Sequence, residues 1–349
     1  MSSTERDAFY MNRCLQLAAL GLGAVAPNPM VGAVLVYNDK IIAEGYHQQY
    51  GGPHAEVNCF SNVKPEAEAL VKESTLYVNL EPCCHFGKTP PCSSLVIAKG
   101  VKKVVIANLD VNPLVSGNGV AQLKAAGITV IAGVLAAAAQ ALNSRFFTYH
   151  QKKRPYLVLK WAQSADHFIG KENQRIKISN EVVDRLVHQW RSEEQAILVG
   201  TKTVIVDNPQ LTNRYTAGRN PIRIVIDQFQ KVPLTQRVFD QSATTLLINA
   251  NTESTSNNVQ MLKVDFENFI PNLMTKLYEH SIQSVLIEGG AFTLQQFLDS
   301  AYWDEIRVLE NEKLFLTQGV AAPTLNRIAT ATEQYGSQHI KYYFNKEGV

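Results

Sequence analysis

The sequence predicts two α/β domains in tandem, the first of them a three-layer domain around a largely buried sheet. Three observations lead there. At 349 residues the chain is long enough for two domains that each bury a core. Short apolar runs alternate with amphipathic stretches through both halves, the strand-helix order of α/β proteins. Between the halves, Tyr149-His150-Gln151-Lys152-Lys153-Arg154-Pro155 is a charged, proline-ended segment of linker polarity, which puts the domains at 1–148 and 155–349.

In the first half, Thr4-Glu5-Arg6-Asp7 reads as a capping box, and Phe9, Cys14, Leu17 and Ala18 follow at helical spacing. That helix ends near Gly21–Gly23. The rigid turn Ala26-Pro27-Asn28-Pro29-Met30 precedes the apolar run Val31–Val36. Asn38-Asp39 separates that run from Ile41-Ile42, which predicts a β-hairpin. Pro53 then introduces a helix starting at His54. Thr75–Leu80 is a strand that runs directly into Glu81-Pro82-Cys83, and Cys92 opens the next helix. Strands over Lys103–Asn108 and Ile128–Ile131, with helices near Val120–Ala126 and over Ala136–Phe147, complete the domain.

In the second half, strands are expected at Tyr156–Lys160, Ala196–Gly200, Ile222–Ile226, Thr245–Ile248 and Ser284–Ile287. Helices are expected at Asn180–Glu194, Phe269–His280 and Phe292–Leu298. The Asn-, Ser- and Thr-rich interval Asn249–Gln260 reads as a surface loop.

Composition bounds the function. Hydrophobic residues make 46% of the chain and charged residues 18%, the balance of a soluble globular protein. With 33 Lys+Arg against 31 Asp+Glu there is no basic excess of the kind that neutralises a nucleic-acid backbone, so no nucleic-acid partner is expected. The N-terminus lacks a basic segment followed by an apolar run, and the Ala-rich stretch Ile128–Ala139 is too short to span a bilayer. No membrane association and a cytoplasmic location follow. Of the five cysteines, Cys83, Cys84 and Cys92 cluster, which suits metal ligation in a reducing compartment; Cys14 and Cys59 read as core residues.

The chemistry concentrates between Pro53 and Cys92. His54, Cys83 and Cys92 offer one imidazole and two thiolates, a three-ligand zinc set whose fourth position stays open for water, as in catalytic sites. Glu56 stands two residues beyond His54. Residues two apart on a regular helix do not share a face, so both converge on one centre only at a helix start, where Pro53 places them. There the Glu56 carboxyl is positioned as a general acid/base beside a metal-bound water, and the His54-x-Glu56 and Pro82-Cys83 pattern resembles the zinc deaminases, which implies hydrolytic loss of ammonia from an amino-heterocycle. In the second half, Glu288-Gly289-Gly290 ends an apolar strand and precedes a helix, where glycines let backbone amides approach a phosphate. No G-x-G-x-x-G is present, so a Rossmann fold is not supported.

Pro27-Asn28-Pro29, His54-Ala55-Glu56 and Glu81-Pro82-Cys83 through Thr89-Pro90-Pro91-Cys92 resemble the deaminase half of the bifunctional riboflavin-biosynthesis deaminase/reductase family. The eight residues between Cys83 and Cys92 set this loop apart from nucleic-acid and cytidine deaminases, whose two cysteines usually stand two residues apart. Lys160 to Asp166, Ala196–Gly200 with Thr203-Val204, Asp207 to Arg214, Ile222–Asp227 and Leu286–Gly290 resemble the reductase half. The resemblance implies a cytidine-deaminase-like domain followed by a dihydrofolate-reductase-like one. It also implies Zn2+ and NADPH as cofactors, phosphorylated pyrimidines as substrates, and a homo-oligomer. Substrate contacts are implied for Asn28, His47, His85, Lys88, Asp110 and Asn112 in the first half and for Arg191, Leu211, Arg214 and Glu288 in the second. NADPH contacts are implied for Ala162, Thr203, Asp207, Gly289 and Gly290.

The residue types suit these roles. Asn28 and Asp110 can pair with pyrimidine edges, Lys88 offers a point charge, and Arg191 and Arg214 match phosphate oxygens with guanidinium forks. Taken by spacing, a turn histidine explains His47 nearly as well, and a solvated surface arginine is the default for Arg191 and Arg214. The chain departs from the family pattern at Cys84, where serine is common, and at Val111. It departs also at His167, which places a side chain where glycine is usual, at Lys177, where an aromatic residue is expected, and at Glu312-Lys313-Leu314-Phe315. Three other readings stay open on sequence: a nucleoside or RNA deaminase, a zinc-organised nucleotide binder without chemistry, and a deaminase with a degenerate nucleotide-binding second domain.

Overall fold

The computed structural model describes residues 2–86, 90–112, 115–172, 174 and 176–345. The chain divides into two compact units, Met1–Gln151 and Lys152–Val349. The elements of the first are α1 (Ser3–Ala19), β1 (Gly32–Tyr37), β2 (Lys40–Tyr46), α2 (Ala55–Ser61), β3 (Thr75–Leu80), α3 (Cys92–Lys99), β4 (Lys103–Asn108), α4 (Asn118–Ala125), β5 (Thr129–Ala132), α5 (Ala136–Leu142) and α6 (Ser144–Lys152). Its sheet has the order β2-β1-β3-β4-β5. β1 is antiparallel to both of its neighbours, β2 and β3, and β3, β4 and β5 run parallel.

Strand alternation makes the three layers. Ala33, Leu35, Leu76, Val78, Val104 and Ile106 face a core shared with Ala55, Cys59 and Phe60 of α2, Val96 of α3 and Leu123 of α4. Val34, Val36, Tyr77, Val105 and Ala107 face the opposite core, against Tyr10, Met11, Cys14 and Leu17 of α1. A period of two thus sends successive side chains to opposite helical layers. Cys14 and Cys59 are buried core residues, as the sequence suggested.

The β1–β2 turn has positive φ at both Asn38 and Asp39, the twist-matched geometry that Asn and Asp tolerate. Two expectations need correction. The capping box at α1 is formed by Ser2 and Glu5, not Thr4 and Asp7, because it is the Ser2 side chain that accepts from Glu5 N–H while the Glu5 side chain reaches back. The helix expected over Ala136–Phe147 is two helices, broken at Asn143, whose side-chain amide bonds both the N–H and the C=O of Met30. And Pro65–Glu73, with its proline start, forms a 3₁₀ segment that the sequence reading did not assign.

The second unit contains β6 (Tyr156–Ser164), β7 (Phe168–Gly170), α7 (Glu181–Glu193), β8 (Ala196–Gly200), α8 (Thr201–Asp207), β9 (Ile222–Ile226), β10 (Thr245–Asn249), β11 (Ser254–Ser256), β12 (Val259–Lys263), α9 (Phe269–Glu279), β13 (Ser284–Ile287), α10 (Ala291–Asp299), β14 (Glu305–Asn311), β15 (Val320–Ala321), β16 (Ala331–Tyr335) and β17 (Gln338–Phe344). The main sheet has the order β11-β12-β10-β9-β8-β13-β6-β14-β17-β16. From β12 to β14 neighbouring strands are parallel, and antiparallel strands close both edges. The interval Asn249–Gln260, expected as a loop, forms the β11–β12 hairpin. The exposed polar side chains of Ser254–Ser256 do not prevent backbone pairing on an edge strand. The strand at Tyr156 continues to Ser164, bringing Ala162 to its carboxyl end.

Candidate active site

In the first unit, the carboxyl end of β3 and the starts of α2 and α3 meet. His54 is the N-cap of α2, with extended φ/ψ of −71° and 166°, and Glu56 lies in the first turn. The change of backbone direction at the cap lets side chains two residues apart converge. Cys92 is the first residue of α3 and Cys83 follows β3 in the Glu81-Pro82 turn. The ligand atoms of His54, Cys83 and Cys92 lie within 4.8 Å of one another. His54 Nδ1 is 3.6 Å from Cys83 Sγ and 3.3 Å from Cys92 Sγ, and the Cys92 N–H donates to Cys83 Sγ at 3.3 Å. One nitrogen and two sulfurs at this spacing fit zinc.

The two thiols and the imidazole perturb one another. The Cys83 thiol is drawn down to about 4, first by the Cys92 thiol and, against burial, by His54. Cys92 is pushed far up by the same contact with Cys83 and by burial. Glu56 is buried at 3% exposure. Burial, then the Cys83 charge, raises its pKa. Cys84 Sγ lies 3.9 Å from the Val115 carbonyl and is not one of the clustered ligand atoms among the described residues.

His47 is buried, and its ring stands edge-on to His54 at a centroid distance of 5.4 Å. Its Nδ1 meets the Pro53 carbonyl at 2.9 Å, so that nitrogen carries the proton. Nε2 therefore accepts from Asn28 Nδ2 at 3.1 Å. Both ring nitrogens are engaged, and His47 orients Asn28. Asp110 accepts from the Asn112 N–H at 2.8 Å, and its carboxyl is raised to about 6, chiefly by burial. His85 Nδ1 is buried without a hydrogen-bond partner among the described residues. Lys88 lies outside the described residues.

Sequence reasoning passed over Glu81 as a site residue. Its buried carboxylate accepts from the N–H groups of Asp110 at 3.1 Å, Gly117 at 2.9 Å and Val120 at 2.9 Å, fixing the Asp110 loop to the start of α4. A Cβ at Gly119 would lie 2.2 Å from the Pro82 carbonyl, so only glycine fits there. The available signal was an acidic residue at a strand end ahead of the Gly117-Asn118-Gly119 turn.

In the second unit, the carboxyl ends of β6, β13 and β8 are neighbours. Glu288 receives Arg191 through two bonds, Nε at 2.9 Å and Nη2 at 2.8 Å, and Lys160 Nζ stands 3.5 Å away. Burial works to raise the Glu288 carboxyl, but Arg191 and Lys160 outweigh it and hold it at about 2. Lys160, on β6, is the member of this cluster absent from the sequence-derived site. Arg214 Nη1 bonds Thr212 Oγ1 at 3.1 Å. Leu211 has φ 55° and a side chain in the core with Ile197, Val199 and Val204.

Gly290 is the N-cap of α10, and its N–H donates to Thr203 Oγ1 at 3.1 Å. A Cβ on Gly289 would sit 2.8 Å from Thr293 Cβ. Ala162, Gly289 and Gly290 thus offer backbone with little side chain at the carboxyl ends of adjacent parallel strands, a cradle that fits a dinucleotide phosphate. Asp207 is the exposed last residue of α8, one turn beyond Thr203. His167 keeps φ 61°, the glycine-like conformation, with its loop held by Asp166 accepting from the Leu316 and Thr317 N–H groups. Lys177 is exposed and pairs with Asp184 at 3.2 Å.

Residues 4–108 match the cytidine and deoxycytidylate deaminase zinc-binding region, and residues 155–315 match the RibD C-terminal domain. The riboflavin biosynthesis protein RibD of Aquifex aeolicus is 42% identical over 318 residues, covering 89% of this chain and 88% of its own. The chain belongs to the RibD family. The Escherichia coli RibD is 33% identical over 350 residues, with 94% of each chain covered. The crystal structure of the Thermotoga maritima diaminohydroxyphosphoribosylaminopyrimidine deaminase/5-amino-6-(5-phosphoribosylamino)uracil reductase superposes with a TM-score of 0.87 at 37% identity, covering 97% of this chain and 98% of its own. Acinetobacter baumannii RibD superposes with a TM-score of 0.89 at 30% identity, covering 98% and 99%. As a RibD, the chain is a bifunctional enzyme of riboflavin biosynthesis, a zinc-dependent deaminase and an NADPH-dependent reductase. No helix among the described residues is long and apolar enough to cross a membrane.

Proposed function

We propose that the chain deaminates diaminohydroxyphosphoribosylaminopyrimidine and then reduces the ribosyl side chain of 5-amino-6-(5-phosphoribosylamino)uracil to ribityl, with the two steps in domains 1–148 and 155–349. The observation that carries this reading is the donor trio His54, Cys83 and Cys92 with the buried Glu56 carboxyl in the first turn of the same helix. His54, Cys83 and Cys92 would hold zinc, which would supply a Lewis acid to lower the pKa of a water towards neutrality. Glu56, whose carboxyl is raised by burial, takes a proton from the attacking water and delivers it to the departing amine, so that ammonia leaves and a carbonyl remains. Asn28, oriented by His47, and Asp110, held by Glu81, present polar groups to the pyrimidine edge. His85, whose Nδ1 has no hydrogen-bond partner among the described residues, and Asn112 add substrate contacts, and Lys88 offers a point charge to the ribosyl phosphate.

In the reductase domain, NADPH supplies the hydride. Ala162, Thr203, Asp207, Gly289 and Gly290 hold that cofactor, and Arg191, Leu211, Arg214 and Glu288 hold the substrate. Two guanidinium groups suit its phosphate. The enzyme works as a cytoplasmic homo-oligomer on small-molecule substrates.

The test uses zinc-loaded protein and the diaminopyrimidine ribosyl phosphate. Ammonia release is followed with NADPH withheld, then NADPH oxidation after its addition. Ammonia followed by oxidation is the expected sequence. Ammonia with no oxidation would leave the second domain without its proposed substrate, and no ammonia would overturn the substrate assignment.

A further inference from the structure

His188 lies on α7, three residues before Arg191 and so on the same helical face. It is 4% exposed and its ring packs on Tyr215 at a centroid distance of 4.3 Å. The backbone N–H of Arg214 donates to His188 Nδ1 at 2.9 Å. That contact decides the imidazole's state. A nitrogen that accepts from an amide carries no proton, so the ring is neutral and its proton sits on Nε2. The polar neighbour of Nε2 among the described residues is Arg214 Nη2, at 3.5 Å. A guanidinium has no acceptor, so two donors face each other and neither satisfies the other.

The charges around this pair favour an anion. Arg191 and Lys160 share Glu288, and Arg214 adds a further cation, so three cations stand against one carboxylate. Asp184, on the same face of α7, is paired with Lys177. With His188 neutral, the cluster carries two net positive charges, the complement of a phosphate dianion.

Resting on the reading of Arg191 and Arg214 as phosphate ligands, we propose that His188 is a further substrate-binding residue of the reductase, its Nε2–H and Arg214 Nη2 donating together to one phosphate oxygen. Neither His188 contact was legible in the sequence.

Two substitutions separate the two ring nitrogens. H188N keeps an acceptor near the Nδ1 position and removes the distal donor, whereas H188Q keeps a distal donor and removes the acceptor. With 5-amino-6-(5-phosphoribosylamino)uracil, H188N is expected to raise KM about tenfold, the worth of one charge-assisted hydrogen bond, with kcat held. H188Q is expected to stay nearer the wild type. With the dephosphorylated substrate, H188N and the wild type should share one KM. NADPH binding measured by fluorescence confirms that each variant is folded.

A wild-type KM for H188N together with a raised KM for H188Q would reduce His188 to a pin for the Arg214 backbone and overturn the proposal. R214A distinguishes the failures. If R214A raises KM while H188N does not, only the His188 assignment falls. If R214A leaves the KM for the phosphorylated substrate unchanged, the phosphate reading falls with it.

Discussion

Glu56 shows how one side chain's surroundings set its chemistry. Held in the first turn of α2 at 3% exposure, its carboxyl is raised by burial and by the Cys83 charge, which suits a group that must both take and give a proton. E56Q keeps shape and removes proton transfer. It is expected to lower ammonia release by about 10²- to 10⁴-fold, while zinc stoichiometry, measured by metal analysis, is retained. His188 supports a different kind of prediction. Burial, then the Arg191 and Arg214 charges, lower its pKa from 6.5 to about 4. Between those values the unfolded chain binds more protons than the folded one, so the stabilisation present above pH 6.5 is lost as pH falls through about 4. Thermal melting of the protein should show this acid-side loss, and H188N should flatten it. At this scale the metal trio was legible because His and Cys in that pattern have few other uses. The engagement of both His47 ring nitrogens was not, since it depends on where Pro53 and Asn28 fold.

The element that shapes the deaminase site is the loop between β4 and α4, gathered on Glu81. Three backbone N–H groups end on that one carboxylate. E81A leaves all three without their acceptor in a buried or partly buried setting, where an unsatisfied buried donor costs about 1–3 kcal/mol. The variant is expected to melt several degrees lower and to raise the deaminase KM, since Asp110 loses its anchor. G119A should act in the same direction, because its Cβ would meet the Pro82 carbonyl and overpacking of this kind costs about 1–3 kcal/mol. Elements with strong patterns were readable from the chain: β3, β4, β8, β9 and β13 lie where apolar runs placed them. The β11–β12 hairpin and the α5–α6 break were not. Polar composition reports exposure, not backbone pairing, and Asn143 ends a helix only because Met30 lies opposite its amide.

For the whole molecule, each activity belongs to a unit with its own sheet and cores, and the metal cluster lies entirely within the first. Chelation of zinc should therefore abolish ammonia release while NADPH oxidation continues when 5-amino-6-(5-phosphoribosylamino)uracil is supplied directly. Loss of both activities together would show that the reductase depends on the metal-loaded first unit. The second unit also answers its departures from the family pattern. His167 retains the positive φ expected of glycine, with its ring on the Gln163 side-chain amide at 2.9 Å, and Lys177 sits on the surface against Asp184.

The chain by itself determined the two-domain α/β organisation, the zinc donors and the acid/base candidate, because apolar periodicity and the His54, Glu56, Cys83 and Cys92 pattern are local properties of residue order. Only the tertiary structure decided which polar atoms satisfy one another: Glu81 with three distant amides, Arg191 with Glu288, His188 with Arg214. Those partners stand 26 to 97 residues apart, and a hydrogen bond is set by angles and distances of a few ångströms that no spacing along the chain encodes.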